Sequence, residues 1–80
     1  MANLRTKAHE ADVTVWVGKG GVDAVVDELN DQLADRDVVK VKFLRSSRGG
    51  TTTEDLAEEL RDAVSADLVE TRGNTAGYTR

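Results

Sequence analysis

The stretch VTVWVGKGGV, residues 13–22, holds a strand, a turn and the start of a helix in consecutive positions. Val13, Val15 and Val17 alternate with two other residues, and such alternation of β-branched side chains is typical of a strand whose valines face the core. The glycine-rich residues 18–21 end that strand. Apolar residues then recur at helical spacing, which predicts an amphipathic helix packed on a sheet through Val22, Val25, Val26, Leu29 and Leu33.

The rest of the chain repeats the strand–helix alternation and ends in a hairpin. Residues 38–44 alternate between apolar and basic positions, and Thr51 followed by Glu54 is a capping-box pattern that starts a helix. Residues 68–72 and 75–80 are strands on either side of a tight turn. The second helix is predicted to bury Leu56, Leu60, Ala63 and Val64, and residues 1–12 form a short helix or arm.

This order, (α)βαβαββ, predicts an α/β fold with a four-stranded mixed sheet covered by helices. Each βαβ crossover makes its strands parallel, and the final hairpin adds one antiparallel strand. The fourth strand is the weakest of the four, because Ala76 and Gly77 have low β propensity. A length of 80 residues predicts one domain, residues 1–80, and not two.

Composition excludes several classes of protein. The chain has no cysteine and one histidine, so we expect no disulfide, no metal site and no cofactor. No run approaches the roughly 20 apolar residues that span a bilayer, and residues 1–10 lack the apolar core of a signal peptide. We therefore expect a cytoplasmic monomer that does not bind membranes.

The net charge of −4 argues against nucleic-acid binding, but its distribution reverses that argument. Residues 22–37 and residues 51–67 each carry six acids and one base, whereas residues 38–50 carry four bases and no acid. A ligand responds to this local segregation more than to the total. The excess of Asp over Glu and of Arg over Lys resembles the surfaces of proteins from salt-loving archaea; an ordinary acidic mesophilic protein is the alternative.

The glycine-rich turn, Gly18-Lys19-Gly20-Gly21, has the composition of a phosphate-binding loop. Glycines let backbone N–H groups approach a phosphate, the helix that follows offers its positive end, and Lys19 adds a cation. The turn lacks the Ser or Thr that follows the lysine of a nucleotide-hydrolysing P-loop, and Asp23 replaces the third glycine of a dinucleotide site. A Gly-x-x-Gly loop that clamps a nucleic-acid backbone fits better. A purely structural turn remains the alternative.

Basic residues are predicted to gather beside this turn. Lys40 and Lys42 share one strand face, which parallel pairing brings near the first strand, and Arg45 and Arg48 follow at the sheet edge where α/β proteins favour ligands. The alternatives are a solvated strand face and a solvated loop. The predicted RNA-binding residues are Gly18, Lys19, Gly20, Gly21, Lys40, Lys42, Arg45 and Arg48.

Two aromatic residues have two interpretations each. Trp16 points away from the three valines and either stacks on a base or packs under the first helix. Tyr78 either stacks likewise or belongs to the core. No carboxylate pair is placed for acid–base work and no base accompanies the run Thr51-Thr52-Thr53, so we expect no enzyme activity.

Together these motifs resemble the CRM domain, or YhbY-like, family. The resemblance covers residues 13–80 and rests on residues 15–21, on the segment Val39-Lys40-Val41-Lys42-Phe43 and on Leu68-Val69 with Gly73 and Arg80. It implies an RNA-binding domain of the stand-alone archaeal type, with a fold similar to the C-terminal domain of the third bacterial translation initiation factor. Bacterial members associate with precursors of the large ribosomal subunit.

Carried over residue by residue, the resemblance assigns the RNA-binding loop to Gly18, Lys19 and Gly21, and the basic strand to Lys40 and Lys42. The first helix departs from the family pattern because its basic residues are reduced to Arg5 and Lys7, and the last strand departs from it over residues 76–80.

Three hypotheses follow from the sequence. The first is a non-catalytic protein that binds ribosomal RNA or large-subunit precursors during ribosome assembly, with no DNA as partner. The second is a protein-interaction module whose acidic helices bind a basic partner such as a ribosomal protein. The third is a fragment of an enzyme that binds a small phosphate ligand or nucleotide, which a deep pocket with perturbed carboxylates would favour.

Overall fold

The described chain follows the predicted order of elements. The computed structural model describes residues 4–45 and 50–80. Strands and helices alternate up to the terminal hairpin, as the hydrophobic periodicity predicts. The elements are α1 (Leu4–Glu10), β1 (Val13–Val17), a 3₁₀ helix (Val22–Val25), α2 (Val26–Asp35), β2 (Val39–Phe43), α3 (Thr53–Val64), β3 (Asp67–Arg72) and β4 (Thr75–Thr79).

The sheet has four strands in the order β1-β2-β4-β3. β1 pairs with β2 in parallel, and β4 pairs antiparallel with both β2 and β3. β3 therefore runs in the same direction as β1 and β2, as a βαβ crossover requires, although β4 separates it from β2. The predicted mixed sheet is confirmed, and the strand with the weakest β propensity occupies an interior position.

The core lies between one sheet face and the helices α2 and α3. Two leucines anchor the helices: Leu29 of α2 and Leu60 of α3 have no exposed surface. Phe43 and Tyr78 are the largest side chains that the sheet buries against them. Burying a side chain of this size contributes about 1.5–3 kcal/mol, so each of these four residues contributes substantially to stability.

Tyr78 belongs to the core and does not stack on a ligand. Its hydroxyl donates a 2.7 Å hydrogen bond to the carbonyl oxygen of Ala57 in α3, which joins β4 to that helix. Burial raises the pKa of Tyr78 well above its ordinary value, because the phenolate would lose its hydration; the nearby Arg61 opposes this shift only in part.

Three local predictions need correction. A register shift between Val13 and Val15 sets Val13 opposite Lys40, so Val13 is half-buried and lies outside the core. Ala63 is exposed, because the apolar stripe of α3 runs through Ala57 instead. The cap of α3 is Thr52, whose hydroxyl accepts the N–H of Asp55 at 3.1 Å.

The short helix α1 covers part of the other sheet face, called the outer face below. It packs on β3 and β4, where Ala8 is buried against Gly77. A Cβ atom on Gly77 would lie 2.6 Å from the Cβ of Ala8, so only glycine admits the helix at this distance. The same glycine that gives this position its poor β propensity therefore allows α1 to dock.

We predict that Leu29→Ala and Leu60→Ala each lower the free energy of unfolding by about 2–5 kcal/mol, a large part of a small domain's total. Both side chains are completely buried between helix and sheet, so truncation leaves a cavity. Chemical denaturation gives the measurement, with the exposed Ala63→Gly as a helix-surface control. An unchanged midpoint in both leucine variants would contradict the core assignment.

The buried Tyr78 should make the fold less stable at alkaline pH. Because its folded-state pKa lies above the unfolded value of 10.0, the neutral phenol stabilises the fold fully below that pH and the contribution is lost as the pH rises beyond it. Tyr78→Phe should lower the free energy of unfolding by about 0.5–1.5 kcal/mol at neutral pH. Above pH 10 the stability of the variant should fall less steeply with rising pH than the stability of the wild type. Urea unfolding at several pH values measures both. Parallel curves for the two proteins would contradict this account.

The contact between Ala8 and Gly77 predicts coupled stability effects. Gly77→Ala should weaken the docking of α1, since the added methyl group meets Ala8. Ala8→Gly should cost up to about 1 kcal/mol alone but should relieve much of the clash in the double variant. A double-mutant cycle measured by denaturation gives the coupling energy. Strictly additive effects would mean that the two residues do not touch.

Candidate nucleic-acid interface

The glycine-rich turn closes tightly at the carboxyl end of β1. The N–H of Gly21 donates a 2.9 Å hydrogen bond to the carbonyl oxygen of Gly18, which leaves Lys19 and Gly20 exposed at the tip. Gly21 has φ 75° and ψ −173°, a conformation that is essentially confined to glycine. The turn therefore presents a lysine and bare backbone to the solvent, and any side chain at Gly21 would strain it.

A 3₁₀ helix, rather than an α-helix, follows the turn directly. It spans Val22–Val25, Gly21 provides no side chain to cap it, and α2 begins only at Val26. Three β-branched valines in five residues disfavour α-helix at this point. The element that begins at the loop is therefore a 3₁₀ turn and not the predicted α-helix end, and Lys19 and the turn's own backbone are the groups exposed at its tip.

Parallel pairing brings the basic strand next to β1, as predicted. Trp16 of β1 lies opposite Lys42 of β2 in the register, on the outer face. Beyond the strands, the N–H of Leu44 donates a 2.8 Å hydrogen bond to the carbonyl oxygen of Val17. This bond brings the start of the basic loop at Arg45 to the same sheet edge as the glycine turn.

Three cations at this edge have side chains without an ion-pair or hydrogen-bond partner in the part of the chain that the structure describes. Lys19 and Arg45 are exposed and Lys42 is half-buried, and none of the three side chains makes an ion pair or hydrogen bond with another described residue. Their charges are consequently available to an external anion. We call these residues, with Trp16 and the turn 18–21, the open edge.

Lys40 is placed differently from Lys42. Its ammonium nitrogen lies 3.5 Å from the carbonyl oxygen of His9, at the C-terminal end of α1, where a cation is favourable. It also lines a small cavity of about 10 Å³ with Glu70, whose Oε1 is buried and has no hydrogen-bond partner among the described residues. Lys40 thus contacts the end of α1, and its role in binding RNA stays a prediction. Arg48 lies outside the described residues.

The structure adds one cation that the sequence did not suggest. Arg72 is the register partner of Thr75, which in turn lies opposite Lys42, so one row crosses the outer face from Trp16 to Arg72. The guanidinium of Arg72 lies 2.8 Å from Nδ1 of His9, beside α1. The sequence does predict a turn at residues 73–74, which places Arg72 at the end of a strand. Its alignment with Lys42 could be recognised only from the strand order.

Metal-binding clusters and membrane-spanning helices are both absent from the part of the chain that the structure describes. No group of three His, Cys, Asp or Glu side chains among residues 4–45 and 50–80 could hold a metal ion. No helix in these ranges is long and apolar enough to cross a bilayer. The acids of α2 and α3 that the sequence singled out stand on exposed helix faces.

Comparison with known proteins finds relatives that are named as RNA-binding proteins. The CRS1 / YhbY (CRM) domain matches residues 1–78. The chain is 37% identical over 71 residues to the "Probable RNA-binding protein MJ0652" of Methanocaldococcus jannaschii. The aligned segment covers 89% of this chain and 53% of that protein. It is also 37% identical over 73 residues to the "Probable RNA-binding protein YqeI" of Bacillus subtilis, which covers 90% of this chain and 74% of that protein.

The fold has a solved counterpart. The solution structure of SAV1595 from Staphylococcus aureus, "a putative RNA binding protein", matches with a TM-score of 0.79 and 29% identity, over 96% of this chain and 79% of that one. This chain spans about half the length of the archaeal relative. The match of nearly the whole chain, together with the mixed sheet and its glycine turn, shows that this chain belongs to the CRS1/YhbY (CRM) domain family.

Proposed function

We propose that this protein is a non-catalytic RNA-binding protein whose binding surface is the open edge. The observation that carries the proposal is a group of three cations, Lys19, Lys42 and Arg45, which have no partner among residues 4–45 and 50–80 and lie beside an exposed glycine turn. An RNA backbone is the ligand that such a surface suits. The names of the relatives support RNA as the class of partner.

In this proposal, backbone and side chains of the open edge both contact the RNA. The exposed tip of the turn allows backbone N–H groups to approach a phosphate, because Gly20 has no side chain in the way. Lys19 extends from the same tip, and Lys42 and Arg45 offer further charges along the adjacent strand and loop. Contacts of this kind fix the position of the backbone without reading its sequence.

The acidic helices orient the complex. Residues 22–37 and 51–67, which form the helical layer, each carry six acids, and that layer covers the sheet face opposite Lys42. An approaching polyanion is repelled from this side and attracted to the open edge. Segregation of charge thus allows a protein with a net charge of −4 to bind RNA through one surface.

Ribosomal RNA, or a precursor of the large ribosomal subunit, is the RNA that we propose. The support is the family resemblance, since bacterial members associate with such precursors. We further propose that the protein works in the cytoplasm of a salt-loving archaeon, as its excess of Asp over Glu suggests. At 1 M salt the Debye length is only about 3 Å, so binding there must rest on direct contacts.

We predict that the Lys19→Ala, Lys42→Ala double variant binds a structured ribosomal RNA fragment more weakly and with a flatter salt dependence. Each lost phosphate contact should reduce the slope of log K against log salt by about 0.7–0.9, so two should reduce it by about 1.4–1.8. Wild-type binding should persist in molar potassium chloride. Fluorescence anisotropy across a salt series measures both quantities.

The matched control removes two cations elsewhere. Arg36 follows α2 at the opposite sheet edge and Arg61 pairs with Asp62 on α3, so the Arg36→Ala, Arg61→Ala double variant should keep the wild-type slope. If the first double variant keeps both affinity and slope, the open edge is only a solvated surface. The acidic helices, with a basic protein as partner, then become the better candidate.

Lys19 is a better residue for testing the turn than Gly21. A substitution such as Gly21→Asp would place a side chain at a positive φ, so a loss of binding could come from a distorted turn. Lys19→Glu reverses one exposed charge and leaves all glycines intact. It should weaken RNA binding more than Lys19→Ala does, while thermal unfolding stays unchanged.

A further inference from the structure

Trp16 is the least expected feature of the surface. The chain contains one tryptophan, and 53% of its surface is exposed. Leu44, at 36%, is the only other large apolar side chain exposed among the described residues. An indole exposed to water on a strand does not add its large apolar surface to the core, which is small in a chain of this length.

The packing of the outer face explains why nothing in the described chain covers this ring. The helix α1 packs on β3 and β4, whereas Trp16 lies on β1, at the far edge of the sheet. The predicted alternative, in which Trp16 packs under the first helix, is therefore wrong. With only seven residues, α1 spans about 10 Å and docks where Gly77 admits it.

A cation and the glycine turn lie beside the exposed ring. Lys42 is its neighbour on the adjacent strand, and neighbouring strands lie about 4.8 Å apart. Gly18, the first residue of the turn, is only two residues further along the strand, or roughly 7 Å. A flat apolar surface thus stands within one nucleotide's reach of the backbone groups proposed to bind phosphate.

From this arrangement we propose that Trp16 is a stacking platform for an unpaired nucleobase, so that the open edge selects single-stranded or looped RNA over continuous duplex. This inference rests on the proposed RNA-binding function and names the form of RNA bound. In a duplex both faces of each base are already stacked, and the ring could reach only the backbone. In a loop or single strand one base face is available, and stacking on an aromatic ring suits any base.

A second copy of the chain is a poorer occupant of this surface. Among the described residues, the acidic helices expose no large apolar side chain that could cover the ring. A symmetric contact through two copies of Trp16 would instead bring two copies of Lys42 together, which repel each other. Charge complementarity therefore favours a polyanion that also carries flat apolar groups.

The intrinsic fluorescence of the single tryptophan tests the proposal directly. Purified protein is titrated with an eight-nucleotide single-stranded RNA and, separately, with a blunt eight-base-pair RNA duplex at the same salt. The single strand should quench Trp16 emission to saturation, because a stacked base contacts the ring. The duplex should bind through its phosphates, if at all, with little quenching.

Variants separate stacking from simple bulk. In anisotropy measurements with labelled single-stranded RNA, Trp16→Leu and Trp16→Ala should weaken binding by roughly 5- to 150-fold, and Trp16→Phe by much less, because phenylalanine keeps an aromatic face. Affinity for the duplex should change little in all three. Because Trp16 is exposed, none of these variants should unfold the protein, and circular dichroism checks this.

The outcomes distinguish the stacking of a base on Trp16 from RNA binding in general. If Trp16→Leu binds both RNA forms like wild type while Lys19→Ala weakens both, the stacking inference is wrong and the RNA-binding function stands. If neither RNA form binds at any salt concentration, both are wrong. A blue shift of Trp16 emission that grows with protein concentration in the absence of RNA would show that a second copy covers the ring, and would overturn the inference.

Discussion

The contact between Ala8 and Gly77 determines which part of the outer sheet face is covered. A Cβ atom at position 77 would lie 2.6 Å from the Cβ of Ala8, so the helix α1 can rest on β4 only because this strand has a glycine there. Docked at this point, a seven-residue helix covers β3 and β4 and leaves β1 free. The position of every residue in the open edge relative to α1 depends on that one close approach.

The two faces of the sheet consequently have different roles. The inner face is sealed by α2 and α3, whose acids remain outside, and the bond from Tyr78 to Ala57 joins the central strand to this layer. On the outer face, Lys40 is drawn toward the end of α1 and Lys42 is not. Two lysines that alternate on one strand thus differ in their surroundings, because only one lies within reach of the helix.

Local patterns were sufficient to predict most of the fold. Period-two valines, helical stripes and turn glycines lie within short windows, and they predicted the element order and the parallel pairing of β1 with β2. One error has a local cause, the valines that favour a 3₁₀ turn after Gly21, and others have non-local causes. The bulge at Val13 depends on how β1 meets β2. The exposure of Trp16 depends on where α1 docks, and that contact joins Ala8 to Gly77, 69 positions apart in the sequence.

The site was predicted by the same logic, with the same limits. The glycine turn, Lys42 and Arg45 could be grouped because parallel strands end at one sheet edge. Arg72 could not be added without knowing that β4 inserts between β2 and β3. The contact of Lys40 with α1 could not be predicted from the sequence either, because it joins residues that are 31 positions apart.

The most direct test of the account is a map of backbone and indole N–H chemical shifts during titration with a single-stranded RNA in molar potassium chloride. The account predicts that shifts concentrate at residues 16–21, at Lys42 and at Arg45, with the Trp16 indole N–H among the largest, while the exposed faces of α2 and α3 stay unchanged. Shifts confined to α2 and α3, with the glycine turn unaffected, would contradict it.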